Sequence, residues 1–279
     1  MKNKNLIIIG KNSFLGTNIF RSLKLNKKIL ISYDQFCKLD DKKISKFSYI
    51  CNCAVKRNYK KKIYSVSNDL DALICKRIIK LNLKYIFLSS RKVYKPKFNL
   101  YEKDKTQPLD QYSKNKTITE NYLKKKLNEK LLILRISNVI GLKKKKNYRI
   151  INNTFFDNYL KLVKKNKKVL FTDFFKDFIT IDQLTKIFSK ILIYDLKGTY
   201  NLSLGSKVYL SEIISWLNYH NINKEKFKAI RPNISKMKSD SFTLNNNKLC
   251  KKINFKPKKN KLKEYCLRLS KIIHKNSFN

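Results

Sequence analysis

Two polar stretches of this sequence contain side chains that could move a proton. In the second, Tyr112 and Lys116 are four residues apart, which places them on one face of a helix. An ammonium beside a phenol favours the phenolate, because an opposite charge stabilises the ionised form. The first stretch, SSRKVY at 89–94, follows a predicted strand at 84–88 and would hold the Ser90 hydroxyl in line with the Tyr112 and Lys116 side chains. Together these groups predict a proton relay suited to oxidising or reducing a carbinol.

The Tyr-x-x-x-Lys spacing by itself also fits a solvated helix face, since the chain has 16 tyrosines and many lysines. The N-terminal segment adds context. An apolar run at 5–9 predicts a buried strand, and a glycine turn (GKNSFLG, 10–16) and a helix at 14–25 follow it. Strand, turn and helix N-terminus form a phosphate-binding arrangement, because the helix end presents N–H donors. We therefore predict cofactor contacts from Gly10, Ser13, Phe14, Leu15 and Gly16. Ser13 replaces the middle glycine of the usual pattern, so an ordinary strand–helix turn is the alternative.

An acid after the second predicted strand bears on the choice of cofactor. The strand is expected at 28–33, and Asp34 follows it, 18 residues after Gly16. Near this distance a carboxylate hydrogen-bonds a ribose 2′-hydroxyl and repels a 2′-phosphate, which favours NAD over NADP. The alternative is a surface aspartate that begins a turn. A third strand, at 47–53, leads into Ala54, a small residue beside which a cofactor could cross the sheet.

Taken in order, these segments resemble the extended short-chain dehydrogenase/reductases, the NAD-dependent epimerase/dehydratase family that acts on nucleotide sugars. The glycine turn, Asp34 and the NCAV segment at 52–55 are similar to its cofactor-binding motifs. Asn68 stands where the family has a structural asparagine that opens a helix, and Glu120 is in a family-like position. The further similarities are at 89–94 (SSRKVY), 134–141 (LRISNVIG), 177–182 (DFITID) and 198–202 (GTYNL).

The resemblance implies roles for individual side chains. Tyr112 would be the catalytic acid or base, with Lys116 supporting it and holding the nicotinamide ribose, and Ser90 would hydrogen-bond the same substrate oxygen. Asn138 and Arg231 are candidates for contact with the substrate diphosphate; Arg231 follows a predicted strand at 227–230. The helix that carries the catalytic pair, predicted at 111–127, commonly forms a dimer interface in this family, which implies a homodimer.

The reaction type depends on the residues after Ser90. Dehydratases of the family carry Asp-Glu there, whereas this chain has Arg91 and Lys92, so we do not expect a dehydratase. An epimerase that oxidises and re-reduces one carbon and a dehydrorhamnose-type ketosugar reductase both remain open. Asp34 favours NAD and therefore an epimerase that retains its cofactor.

The predicted fold class is α/β, a Rossmann-type doubly wound parallel sheet with a smaller C-terminal substrate-binding lobe. Strands and helices alternate at βαβ spacing in the N-terminal part, with helices expected at 68–81 and 151–164 and a strand at 131–136 among them. We assign residues 1–140 plus 176–202 to the NAD-binding domain and 141–175 plus 203–279 to the smaller lobe. The stretch between Asp34 and Asn52 is too short for the strand and helix that the family usually places there.

The net charge of +46 raises the alternative of a nucleic-acid partner, and with it a non-catalytic RNA-binding or scaffold relative. Most of the 65 basic residues are lysines spread along the chain, whereas base-reading sites favour arginine. We therefore expect a solvated lysine surface and no nucleic-acid partner. Such a surface would attract an anionic nucleotide sugar.

The remaining composition indicates a cytoplasmic protein. The six cysteines include no C-x-x-C pair, and Cys51 and Cys53, which share a strand face, have no nearby histidine, so no metal site is predicted. No apolar run approaches the roughly 20 residues that a membrane helix needs. The N-terminus lacks the pattern of a signal peptide.

Overall fold

The computed structural model describes residues 4–142, 155–165 and 168–275. The strands are β1 Leu6–Ile9, β2 Lys28–Ile31, β3 Tyr49–Asn52, β4 Lys84–Ser90, β5 Leu131–Ile136, β6 Asn138–Ile140, β7 Val169–Thr172, β8 Phe175–Lys176, β9 Phe178–Thr180, β10 Gly198–Leu202, β11 Val208–Tyr209 and β12 Phe227–Ile230. The helices are α1 Phe14–Ser22, α2 Tyr33–Cys37, α3 Asp41–Ile44, α4 Arg57–Lys61, α5 Leu70–Ile78, α6 Gln111–Leu127, α7 Phe155–Lys165, α8 Ile181–Tyr194, α9 Leu210–Leu217, α10 Ile234–Asp240, α11 Asn247–Ile253 and α12 Lys259–Lys275.

A central sheet of six strands has the order β10-β5-β4-β3-β1-β2. Every neighbouring pair in it is parallel. From the adjacent strands β1 and β3 the chain proceeds outward in opposite directions, so the order reverses between them. Ligands of open parallel sheets bind at the carboxyl ends of the strands beside such a reversal. The predicted doubly wound α/β fold is confirmed.

The edge strand β2 is two residues shorter than the strand predicted at 28–33. β2 ends at Ile31, because Ser32 begins α2 through a reciprocal cap. Its hydroxyl accepts from the Gln35 N–H at 3.1 Å, and the Gln35 side chain accepts from the Ser32 N–H at 2.9 Å. The short helices α2 and α3 form the whole connection from β2 to β3. They take the place of the strand and helix that the family usually has between Asp34 and Asn52, and β2 is therefore the edge strand.

Apolar side chains cover both faces of the sheet. All four residues of β1 are fully buried, as is typical of a parallel strand that lies between two layers of helices. Leu6 and Ile8 pack towards α1, α8 and α11, and Ile7 and Ile9 pack towards α2, α3, α5 and α6. A third cluster joins α7, α9 and α12; its buried members are Ile140, Phe156, Tyr159, Phe178, Leu204, Val208, Leu210, Ile213, Leu217, Leu262, Cys266 and Leu269.

Other predicted elements agree to different degrees. The helix at 111–127 and the strands at 131–136 and 227–230 have the predicted bounds. The helix expected at 68–81 begins only at Leu70, because the Asp69 carboxylate caps it by accepting from the N–H groups of Asp71 and Ala72. The helix expected at 151–164 lies partly outside the described residues. The two-domain division stays a prediction; α11, from the predicted smaller lobe, packs Leu249 and Ile253 into the cluster over the central sheet.

The six cysteines are free thiols, and the Sγ atoms of Cys51 and Cys53 lie 3.9 Å apart on one face of the chain. In the described ranges, no group of three or more His, Cys, Asp or Glu side chains could hold a metal ion. None of the helices described combines enough length with enough apolar character to cross a bilayer.

A buried ion pair attaches α6 to the sheet. Arg135 of β5 donates to both carboxylate oxygens of Glu120, at 3.0 Å from Nε and 2.6 Å from Nη2. Ser89 of β4 donates to the same carboxylate at 2.6 Å, and Arg135 also donates to the Tyr94 hydroxyl at 2.6 Å. Because both charges are buried, Arg135 depends on Glu120 for compensation, and Glu120 has only the half-exposed Lys124, 3.7 Å away, as a further cation.

We expect Arg135→Met to lower the free energy of unfolding by about 3–5 kcal/mol, since the buried Glu120 would keep only the half-exposed Lys124 ammonium, 3.7 Å away. Arg268→Met is the matched control. Its pair with Asp182 lies at the surface, 67% and 60% exposed, and such pairs contribute at most about 1 kcal/mol. Urea unfolding measures both losses, and equal losses would contradict the importance of the buried pair.

Candidate active site

The glycine turn after β1 packs against the turn after β3. Gly10 has φ 121°, and a Cβ there would lie 3.0 Å from both the Ala54 nitrogen and the Cys53 carbonyl carbon. A Cβ on Gly16 would lie 2.6 Å from the Ser13 hydroxyl and 2.9 Å from the Gly10 carbonyl. Both positions therefore require glycine, because the backbones approach too closely for a side chain.

Ser13, in contrast, lies where a side chain is useful. It is the N-cap of α1, with φ −80° and ψ 147°, and its hydroxyl accepts from the Gly16 N–H at 2.9 Å. Within the described residues, nothing accepts from the N–H groups of Phe14 and Leu15. Two backbone donors thus remain at the positive end of the helix, an arrangement that fits a phosphate group. Ser13 therefore departs from the glycine pattern without disturbing this phosphate cradle, the Gly10–Gly16 turn with its two donors.

Asn52 shapes the other side of the cradle. Its side chain accepts from the Ala54 N–H at 2.9 Å and donates to the Ala54 carbonyl at 3.1 Å. The same amide donates to Asp71 at 3.0 Å. The predicted cofactor residue Ala54 is therefore held at the carboxyl end of β3, directly against Gly10.

Asp34 does not directly follow the observed second strand. It is exposed in the first turn of α2, three residues beyond the end of β2. Ser32, rather than an acid, directly follows the strand. The role of Asp34 towards a ribose stays a prediction.

The two adjacent serines at the end of β4 have different environments, because successive strand residues point to opposite faces. Ser89 is buried and donates to Glu120, which gives it a structural role. Ser90 is half-buried, and its hydroxyl accepts from the Lys92 N–H at 3.2 Å, which leaves its own hydrogen free to donate to a ligand. The predicted catalytic hydroxyl is the accessible one.

Helix α6 presents Tyr112 and Lys116 on one face. Tyr112 is half-buried, and its ring meets the Tyr59 ring edge-on, with centroids 6.3 Å apart. Lys116 is only 2% exposed, and its ammonium lies 4.3 Å from the Phe87 ring centre and 5.5 Å from that of Tyr59. The helix starts at its N-cap Asp110, which accepts from the Ser113 N–H at 2.8 Å. Asp110 also pairs with Lys92 at 2.7 Å, which brings the turn after Ser90 against the start of α6.

A buried carboxylate faces the expected catalytic lysine, and sequence reasoning missed it. Asp71 of α5 has its Oδ2 3.7 Å from the Lys116 ammonium. Its Oδ1 accepts from the Tyr85 hydroxyl at 2.6 Å and from the Asn52 amide at 3.0 Å. Burial lowers the pKa of Lys116, but the Asp71 carboxylate together with neighbouring groups raises it above its ordinary value. Burial also raises the pKa of Asp71, and Lys116 opposes this.

The signal for this pair was weak in the sequence. Two of the 19 acidic residues, Asp69 and Asp71, occur at the start of one predicted helix. Asp69 caps that helix and also accepts from the hydroxyls of Tyr64 and Thr119. The spacing could have suggested a cap, but it could not indicate that the second carboxylate points at Lys116.

The two predicted substrate residues lie apart from this cluster. Asn138 begins β6, is half-buried, and donates through its side chain to the Asp177 carbonyl at 3.1 Å. Arg231 follows β12 and is exposed. Among the described residues, no contact joins Arg231 to Ser90, Tyr112 or Lys116.

The sheet order is that of a doubly wound parallel α/β fold, the fold class that the sequence resemblance implied. No protein-family model and no curated protein sequence matches the chain. Solved structures match over almost its whole length. UDP-N-acetylglucosamine 4-epimerase from Methanobrevibacter ruminantium M1, in complex with UDP-N-acetylmuramic acid, has a TM-score of 0.76 at 21% identity and covers 97% of this chain and 98% of its own.

Two further structures show the same fold. dTDP-glucose 4,6-dehydratase from Bacillus anthracis str. Ames, in complex with NAD, has a TM-score of 0.73 at 13% identity, with 98% of this chain and 97% of that chain covered. RMD from Pseudomonas aeruginosa, complexed with NADPH, has a TM-score of 0.71 at 14% identity, with 98% and 100% covered. At these identities the likeness establishes the fold.

We expect Asp71→Asn to lower the free energy of unfolding at neutral pH by about 3–5 kcal/mol, since Lys116 would lose its buried counter-charge. The loss should shrink as the pH rises through the alkaline range towards the ordinary lysine value of 10.5. In the variant the pKa of Lys116 falls below its unfolded value, so folding releases a proton and stability rises with pH. In the wild type that pKa is raised, so the contribution of Lys116 is complete below its ordinary 10.5 and is lost only above it.

Urea unfolding at several pH values measures this difference. Asp41→Asn serves as the control, because its carboxylate beside Arg77 is 61% exposed and should matter little at any pH. A constant gap between wild type and Asp71→Asn across this range would contradict the charge pairing.

Proposed function

We propose that this protein is an NAD-dependent nucleotide-sugar epimerase or reductase that transfers a hydride at a sugar carbinol or keto carbon. The observation that carries the proposal is the meeting of Ser90 with the start of α6, made by the Lys92–Asp110 ion pair. Because β1, β3 and β4 are parallel, Ser90 ends its strand at the same sheet edge as the glycine turn, and the ion pair supports a position of Tyr112 there. The similar fold of a UDP-N-acetylglucosamine 4-epimerase supports it.

In the proposed reaction Tyr112 takes the proton from a sugar hydroxyl while that carbon is oxidised, and returns it to the keto oxygen on reduction. Lys116, whose ammonium lies 3.7 Å from Asp71, would hold the nicotinamide ribose. Ser90 donates a hydrogen bond to the same oxygen. The chemistry that a bound nicotinamide supplies is hydride acceptance and return.

The residues at the end of β1 and β3 fit a dinucleotide. The N–H groups of Phe14 and Leu15 would hold its pyrophosphate, and Gly10 lets the turn after β1 lie directly against Ala54 beside it. We propose NAD rather than NADP, because the Asp34 carboxylate would repel a 2′-phosphate. Among the similar structures, the dehydratase is in complex with NAD and RMD with NADPH.

Within this class, Arg91 and Lys92 replace the acidic pair that a dehydratase would need after Ser90. We therefore propose epimerisation first, with a dehydrorhamnose-type reductase as the alternative. An epimerase regenerates its NAD in every cycle, whereas a reductase consumes reduced cofactor in proportion to product.

The smaller lobe, 141–175 plus 203–279, would bind the nucleotide sugar, with Asn138 and Arg231 as candidates for its diphosphate. We also propose a cytoplasmic homodimer formed through α6. On this helix Ile118 is 42% exposed, which leaves an apolar side chain for a partner helix. Sedimentation at several concentrations tests the dimer.

We expect wild-type protein to bind NAD with micromolar affinity and NADP more weakly in isothermal titration. Gly10→Ala should abolish NAD binding, because its Cβ would push against Ala54 and Cys53 at 3.0 Å. Gly198→Ala is the matched control. Its φ of +88° is also left-handed, but nothing lies within 4 Å of its Cβ, so binding should persist. Absence of NAD and NADP binding by the wild type would overturn the proposed function.

Turnover is tested with UDP-glucose and UDP-N-acetylglucosamine as the first substrates in a nucleotide-sugar screen. Tyr112→Phe should lower kcat by about 10²–10⁴-fold, because it removes the proton carrier, and should leave NAD affinity nearly unchanged. Tyr219→Phe, at an exposed tyrosine, is the control. An active Tyr112→Phe enzyme would exclude the proton-relay role.

A further inference from the structure

Arg91, the residue after Ser90, has an unusual environment for a cation in this chain. Its guanidinium is half-buried and lies over the Phe242 ring, 3.9 Å from the ring centre. Within the described residues it forms no hydrogen bond or ion pair. Asp110 acts on it electrostatically, but that carboxylate is already bonded to Lys92 at 2.7 Å. The charge next to Ser90 is therefore not neutralised by a carboxylate of its own.

A second cation approaches from another segment. Lys176 of β8 is half-buried, and the ranges described contain no ion pair of its ammonium. Burial lowers its pKa, with Arg91 and Lys92 contributing in the same direction and Asp240 opposing. β8 is joined to the stacking ring through the Phe242 N–H, which donates to the Phe175 carbonyl at 3.3 Å. β8 therefore lies beside Phe242, where its Lys176 ammonium is 5.8 Å from the Phe174 ring centre and interacts electrostatically with Arg91.

Two half-buried like charges are an unfavourable arrangement, because each loses solvation and repels the other. Burial lowers the pKa of Arg91 to about 10, so the guanidinium stays charged at neutral pH. A bound anion removes both costs. The ring of Phe242 also fixes the plane of the guanidinium, which suits bidentate contact with a carboxylate.

The position of this pair restricts which part of a ligand it can meet. Ser90 would contact the reacting sugar oxygen, and Arg91 is its immediate neighbour in the same turn. An anion held by Arg91 is therefore a group on the sugar, close to the reacting carbon, rather than the diphosphate.

We propose that Arg91 and Lys176 form an anion subsite that binds a carboxylate carried on the sugar, so that the substrate class is an acidic nucleotide sugar. This inference rests on the proposed function and adds specificity to it. The subsite determines which sugar is accepted, whereas Ser90 and Tyr112 carry the proton chemistry.

The test compares two probes that differ only at the sugar C6, UDP-glucuronic acid and UDP-glucose, by titration into the NAD-loaded protein. We expect the wild type to bind the acidic probe at least about tenfold more tightly, as one charge-assisted contact would provide. Arg91→Met and Lys176→Met should each bring the two affinities to within about twofold of one another. If one of these variants does not fold, the other carries the test.

Arg21→Met is the matched control for loss of a positive charge. Arg21 is exposed in the last turn of α1, at the opposite sheet edge from Ser90, so the preference should persist. Equal wild-type affinities, or a preference that survives in folded Arg91→Met and Lys176→Met, would overturn the subsite and leave the proposed function standing. Failure to bind NAD and both nucleotide sugars would overturn both.

Discussion

The burial of a single ammonium group, that of Lys116, places a strict demand on the surrounding structure. A lysine that is 2% exposed loses nearly all its hydration and stays charged only beside a compensating anion. Asp71 supplies that anion from α5, and its own remaining oxygen is satisfied by Asn52 of β3 and Tyr85 of β4. Four elements thus meet at one charge pair. The pair fixes the rotation of α6 and, with it, the direction in which Tyr112 faces the sheet edge.

Other acidic side chains are also buried where elements of the structure meet. The chain has 19 acidic residues against 65 basic ones, and several of the acids are buried at crossings between elements. Asp177 accepts from the N–H groups of Leu204, Gly205 and Leu244 at 2.9, 3.1 and 3.2 Å, which ties β9 to two distant segments. Burial raises its pKa to about 7, against these hydrogen bonds. The buried acids organise the interior, while most lysines remain at the surface.

Local signals in the sequence were sufficient for much of the fold. The bounds of α6 were predictable because Asp110 and the apolar positions after it act within a few residues. β2 was predicted too long, because the reciprocal cap between Ser32 and Gln35 competes with the strand and was not recognised. Asn68 was expected to open α5, but the neighbouring Asp69 caps it. Such errors arise where two short-range preferences compete, since their balance depends on side-chain geometry.

By itself the sequence determined the parallel α/β architecture, the glycine turn at the end of β1 and the Tyr112–Lys116 face of α6. These features depend on periodicity and on spacing within one turn or helix. Only the tertiary structure decided which serine is accessible, which carboxylate meets Lys116 and which cation lies over Phe242. Each of these contacts joins residues distant in the chain, and the partner is selected by how the elements pack and which charges must be compensated once water is excluded.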